Sequence, residues 1–170
     1  MLWSFWALKE AAYKVFMKQT SDASFVPRRW SVCVSDSLET RTASEGEVSG
    51  LICGTVRIPG AGELYFALRY AEACVHALAA DSTDLLKRAV WHVRQLPANP
   101  EIDASVFGRS CLIHDLSAHW QVEKHRLEIR REHAAGGEIH PPVVYLDGAV
   151  ADVEVSLSHD GRFVAFAYLI

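Results

Sequence analysis

Trp6-Ala7-Leu8-Lys9-Glu10-Ala11-Ala12-Tyr13-Lys14 sets the architecture expected of this chain. It lies in a run from Leu2 to about Gln19 that holds no glycine or proline and is rich in helix formers. An α-helix is expected there, with Ser4 able to cap its first turn. At about 100° per residue, Ser4, Ala7, Glu10, Ala11, Lys14 and Lys18 share one stripe covering roughly a third of the circumference. Trp6, Leu8, Ala12, Tyr13, Val15 and Phe16 cover most of the remainder, which predicts a helix buried on more than one side. The stripe is polar and floored by alanines, so something can dock against it. Taken alone, Glu10 followed by Lys14 is a common exposed helical pair, contributing about 0.2–0.5 kcal/mol.

Outward from this helix, Pro27 ends the helical pattern, and Trp30 to Ser35 alternates as a half-buried strand does. Residues 37–49 are polar and read as a loop. Gly50 to Ile58 is a second strand closed by the turn signal Pro59-Gly60-Ala61-Gly62, and Leu64 to Tyr70 and Ala73 to Leu78 are two more. The first half is therefore expected to be a helix followed by an antiparallel meander. After a break near Ala80, Asp81-Ser82-Thr83-Asp84 offers a cap for a helix over Leu85 to Gln95, stopped by Pro97 and Pro100. A second, charged helix is expected within Leu112 to Glu132. Gly136-Gly137 and Pro141-Pro142 precede a strand at Val143 to Leu146, and the last strands are Val153 to Ser158 and Arg162 to Ile170, with Asp160-Gly161 as the turn. The reading is an α+β domain over residues 1–170, made of two helix-plus-antiparallel-strand lobes at about 1–80 and 81–170.

Size and composition fit this. A chain of 170 residues can form one domain with a proper core or two small packed lobes. The formal charge of −4 and pI near 6.0 give no footprint for nucleic acid. Cys33, Cys53, Cys74 and Cys111 form no C-x-x-C pair and sit in apolar stretches, as reduced thiols of a cytoplasmic protein would. No run of about 18 apolar residues occurs, so no membrane partner is expected. Lys9, Glu10 and Lys14 interrupt the apolar N-terminus, which argues against a signal peptide.

At the other end, Val153, Val155 and Leu157 alternate with Glu154, Ser156 and Ser158, giving one apolar and one polar face. Phe163 to Tyr168 is apolar on both faces, as suits a central covered strand. His159 sits where the polar face meets the turn, a place where a lone histidine is ordinarily structural or solvated. His114, His119, His125 and His133, with Cys111, stand at spacings that put no three on one helical face, so no metal site is read from them. Lys124, Arg126, Arg130 and Arg131 form a basic run, by default solvated.

Two motifs together resemble the 4′-phosphopantetheinyl transferase superfamily. Trp6, Lys9, Glu10, Ala11 and Lys14 match its helix signature W-x-x-K-E-A-x-x-K. Ser158 and His159, within Val155-Ser156-Leu157-Ser158-His159-Asp160-Gly161-Arg162, match its second signature, [I/V]-x-[I/L]-S-H-[S/T/D]-G. The continuation Gln19-Thr20 and Phe25-Val26-Pro27 is similar to a bacterial subgroup, and the order of the motifs is that of the holo-acyl-carrier-protein synthase type.

The resemblance implies transfer of 4′-phosphopantetheine from coenzyme A, as substrate, to a serine of an acyl or peptidyl carrier protein. It assigns Glu10 to Mg²⁺, Lys14 to the coenzyme A phosphates and to proton removal, and Ser158 and His159 to the 3′-phosphate. The residue types suit these roles. A hard cation takes carboxylate oxygens, a developing phosphate charge takes an ammonium, and a hydroxyl and an imidazole donate to phosphate. The resemblance would also place basic residues such as Arg126 and Arg130 near those phosphates. Members of the family carry a G-x-D-x strand before the helix, whose aspartate is a further Mg²⁺ ligand. This sequence has no such motif, and Asp147 and Asp152 are not assignable to the metal. Two expectations follow: a start internal to a longer product, or a non-catalytic relative that binds coenzyme A or a carrier protein. Apolar surface left by such a missing strand would favour a homo-oligomer.

Overall fold

The computed structural model describes residues 2–20, 26–35, 51–71, 74–98, 101–131 and 140–170. The expected loop at 37–49, the Gly136-Gly137 pair, Phe25, Pro100 and His133 lie outside them. The described chain is an α+β protein with three antiparallel sheets, and it divides into two compact units, Met1–Arg88 and Ala89–Ile170.

In the first unit, α1 spans Leu2–Gln19, as its run of helix formers predicts. Strands β1 (Ser31–Val34), β2 (Leu51–Ile58), β3 (Gly62–Ala71) and β4 (Cys74–Ala80) form an antiparallel meander in that order. Register explains which side chains form the core. Gly54 pairs with Phe66 and Val56 with Leu64, so Gly54, Val56 and Ile58 share a face with Leu64, Phe66 and Leu68. Leu8 and Ala12 of α1 and Trp30 close on that face. The β2–β3 turn needs its glycine. Ala61 N–H donates to the Ile58 carbonyl at 3.1 Å with Pro59 next and Gly60 at φ 83°, a type II arrangement that L side chains resist.

Ser4 is not a cap. The helix already includes it, and its buried Oγ shares a 2.9 Å hydrogen bond with the Tyr70 hydroxyl. Ser4, Leu8 and Ala12 are the buried residues of α1, with Tyr13, Val15 and Phe16 partly buried against the same core; Trp6, expected on the covered side, is instead about half exposed.

The helix expected over Leu85 to Gln95 is only α2, Thr83–Arg88, with Ser82 Oγ accepting from Leu85 N–H at 3.2 Å. Because α2 packs on β3 and β4, the boundary falls after Arg88 rather than near Ala80. Val90–Gln95 is instead strand β5, the first element of the second unit. Valine and tryptophan favour extended backbone there, and β5 supplies the ladder that the far edge of β10 requires.

The second unit continues with α3 (Ala104–Trp120), β6 (Leu127–Arg130), β7 (Val143–Leu146), β8 (Ala149–Val150), β9 (Glu154–Asp160) and β10 (Phe163–Leu169). One sheet has the order β5-β10-β9 and the other β6-β7-β8. The apolar run at Phe163 to Tyr168 is thus central, as expected. The helix predicted within Leu112 to Glu132 begins earlier and ends earlier. Asp103 caps it by accepting from Val106 N–H at 2.8 Å, and Gln121 stops it in the left-handed region at φ 55°. Leu127–Arg130 is consequently strand, and the basic run is not part of α3: Lys124–Arg126 is a 3₁₀ turn and Arg130 ends β6. Leu112 and Leu116 pack with Leu127, Val144, Val155, Phe166 and Tyr168. The last hairpin turns one residue later than expected: Asp160 pairs with Phe163, leaving Gly161 (φ 52°) and Arg162 as the loop.

Candidate functional site

Ser4, expected on the polar stripe, is buried with Leu8 and Ala12, and this turns the Glu10 and Lys14 part of the stripe away from the core. Lys14 Nζ stands 3.5 Å from Glu10 Oε1, with their side chains 33% and 46% exposed. The carboxylate therefore keeps access to solvent, and to a ligand, beside an ammonium. Ala7 and Ala11 flank the pair with methyl groups only. Lys9, by contrast, has a structural use: its Nζ donates to the Pro27 carbonyl at 2.7 Å, tying α1 to the 3₁₀ turn at Pro27–Arg29. Tyr13 and Phe16 hold Trp30 at centroid distances of 6.3 and 6.2 Å and fix the helix from its other side.

Ser158 and His159 lie just before the last residue of strand β9, opposite Ala165 and Val164 of β10. Consecutive strand residues point to opposite faces. Ser158, half-buried, follows Ser156, while the exposed His159 follows the core residues Val155 and Leu157 in its row. A single phosphate touching both must sit at the strand end, beside the Gly161–Arg162 loop. Glu10 and Lys14 belong to the first unit and Ser158 and His159 to the second.

Two of the basic residues singled out by sequence, Arg126 and Arg130, have close partners. Arg126 donates to both carboxylate oxygens of Asp147, through Nε at 2.9 Å and through Nη2. That hydrogen bond lowers the Asp147 carboxyl below its ordinary range. Asp147 itself sits in the β7–β8 turn at φ 51°, followed by Gly148 at φ 81°, so its residue type answers a turn requirement rather than a metal. Arg130 donates to Glu128 at 2.5 Å, which lowers that carboxyl too, and lies 4.4 Å over the Tyr145 ring.

One polar contact escaped the sequence reading. His92 Nε2 of β5 lies 3.3 Å from Asp115 Oδ2 of α3, and His92 also stacks at 5.5 Å on Phe166. Nothing local marks it, because it exists only once β5 docks beside α3. One turn before Asp115, burial pushes the Cys111 thiol up, which keeps it a thiol rather than a nucleophilic thiolate. Tyr168 is raised likewise, by burial and then by Asp115.

A Mg²⁺ ion fits this donor set only in part. Among the described residues no three His, Cys, Asp or Glu side chains converge on one point. Mg²⁺ held by one or two carboxylates plus phosphate oxygens and water needs no such cluster, and Glu10 suits that role. No helix of the described chain is long and apolar enough to cross a membrane. No protein-family model, curated protein or solved structure matches this chain.

Proposed function

We propose that the chain is a phosphopantetheinyl transferase-like protein that moves 4′-phosphopantetheine from coenzyme A to a serine hydroxyl of an acyl or peptidyl carrier protein. The observation that carries the reading is the solvent-facing Glu10–Lys14 pair, 3.5 Å apart on an alanine-floored stripe, at the motif positions where the family places a metal carboxylate and a phosphate lysine. The Ser158-His159 strand end supports it as a place where a half-buried hydroxyl and an exposed imidazole stand next to a glycine turn.

The chemistry asked of the residues is modest. In an in-line displacement at phosphorus, the carrier serine oxygen bonds to the β-phosphorus of coenzyme A and adenosine 3′,5′-bisphosphate leaves; catalysis is positioning and charge neutralisation. Lys14 would neutralise pyrophosphate oxygens and Ser158 and His159 would orient the nucleotide by its 3′-phosphate. Glu10 would hold Mg²⁺, which when bound supplies further neutralisation of the same oxygens.

A second reading is a non-catalytic relative that binds coenzyme A or a carrier protein. It is favoured because Glu10 is the single carboxylate the motifs at hand assign to the metal. Incubating the chain with coenzyme A, Mg²⁺ and an apo carrier protein, and weighing the carrier by mass spectrometry, separates the two. Addition of phosphopantetheine supports transfer. Coenzyme A binding by calorimetry without addition to any carrier supports the binding protein, and absence of both refutes the family reading.

A further inference from the structure

Among the described residues, large apolar side chains exposed singly are found at Val34, Val106, Val150 and Ile170, which is ordinary for any surface. The start of α1 is different. Leu2, Trp3, Phe5 and Trp6 are 81, 74, 43 and 49% exposed within five consecutive positions. Their i, i+3 and i, i+4 spacings join them into one patch around the part of the helix turned away from Ser4 and Leu8. No residue from Leu2 to Leu8 carries an ionisable side chain.

We propose that this patch is the contact surface of a homodimer of the chain. With aromatic side chains worth about 150–250 Å² each, the exposed parts sum to roughly 400–500 Å² per copy. Two copies related by a twofold axis would cover roughly 800–1,000 Å², the range of weak, transient interfaces. A second copy suits the patch better than other occupants. A twofold contact must be complementary to itself, and an uncharged aromatic cluster brings no like charges together. A charged partner finds no counter-charge on Leu2 to Leu8. The inference rests on the first unit alone and is independent of the transferase reading.

Sedimentation velocity on the whole chain from about 1 to 100 μM tests it, with a dimer population that grows with concentration as the expected result. The double variant Leu2→Glu/Trp3→Glu changes the two most exposed positions and places like charges across the axis. It should weaken association about a hundredfold or more with an unchanged circular dichroism spectrum. Hydrogen exchange at high and low concentration should show extra protection in the first two turns of α1. A monomer throughout, a dimer that survives the double variant, or concentration-dependent protection confined to β4 would each overturn the proposal. So would a monomer that instead pellets with phosphatidylcholine–phosphatidylserine vesicles. None of these readouts depends on transfer activity or coenzyme A, so failure here leaves the proposed function standing.

Discussion

Alanine at Gly54 and alanine at Gly108 should change stability in opposite directions, although both glycines are buried inside regular elements. Gly54 lies mid-strand in β2. A Cβ there would stand 2.1 Å from the Cys33 carbonyl oxygen and 2.7 and 2.8 Å from Cζ and Cε1 of Phe66. To restore an ordinary contact of 3.4 Å, the carbonyl must retreat by 1.3 Å (3.4 − 2.1), and it belongs to backbone rather than to the tip of a flexible chain. Strand β1 has four residues and pairs with β2 alone among the described strands, so this retreat unfastens the Val34–Gly54 end of the ladder. Phe66 is fully buried in the same cluster and has little room to yield. Overpacking of this kind costs about 1–3 kcal/mol, and the backbone clash puts Gly54→Ala at or above the top of that range. Gly108 is on the buried face of α3, where a Cβ meets Leu157 Cδ2 at 3.6 Å and Val164 Cβ at 3.7 Å, ordinary contact distances. Helix interior glycine is worse than alanine by about 0.5–1 kcal/mol, so Gly108→Ala should stabilise by that amount. Urea unfolding followed by circular dichroism gives both values. Native-state hydrogen exchange assigns each to its own unit, which matters because two units need not unfold together. A Gly54→Ala protein within about 0.5 kcal/mol of the parent would refute the clash argument. A Gly108→Ala protein destabilised by more than about 1 kcal/mol would refute the packing of α3 on β9 and β10.

The other predictions concern the candidate site and the second core. Glu10→Gln and Lys14→Ala should each slow phosphopantetheine transfer about a hundredfold or more while leaving the circular dichroism spectrum unchanged, since both side chains face solvent; unaltered turnover numbers would remove them from the site. His159→Ala should weaken binding of coenzyme A about tenfold but leave 3′-dephospho-coenzyme A unaffected, because the missing phosphate is what the imidazole is proposed to hold; equal losses for both ligands in calorimetry would contradict that role. Leu116→Ala empties a fully buried position against the sheet of the second unit and should cost about 2–5 kcal/mol in urea unfolding. Asp147 titrates below its unfolded value, so its bond to Arg126 contributes stability at neutral pH that is lost as pH falls through the lowered value. Asp147→Asn should therefore lower the urea midpoint at pH 7 and flatten its dependence on acid, and an unchanged profile would show the pair to be inert.

Reading elements from sequence worked where local pattern and tertiary demand agree. The Leu2–Gln19 helix, the meander through β4 and the strands β7, β9 and β10 carry their periodicity and punctuation in the chain itself. It failed where the same letters satisfy two patterns. Leu85 to Gln95 can place apolar groups at helical spacing, yet Val90, Trp91 and Val93 are needed as a strand by β10, whose unpaired edge no local signal announces. In Leu112 to Glu132 the charges masked the stop at Gln121, a left-handed residue that is not the usual glycine. At the candidate site, Glu10, Lys14, Ser158 and His159 were legible as motif positions, whereas the exposure of Trp6 and the anchoring of Lys9 to Pro27 depend on which face of α1 the sheet takes.

The two long helices differ in how their acidic side chains are held. Each buries a row at i, i+4 and i+8: Ser4, Leu8 and Ala12 in one, Gly108, Leu112 and Leu116 in the other. The acidic side chains beside these rows are held differently. Asp115 of α3 has a side chain only 17% exposed and already faces His92 at 3.3 Å, so its charge is spent on joining the helix to β5. Glu10 of α1 is 46% exposed and its close partner is a lysine on its own helix, one turn away, which a phosphate or a cation can displace by rotating a flexible side chain. Breaking the first pair costs tertiary structure. The second is an ion pair within one helix, a kind worth about 0.2–0.5 kcal/mol. A ligand can therefore recruit Glu10 and Lys14 without unfolding anything, which the His92–Asp115 pair does not allow.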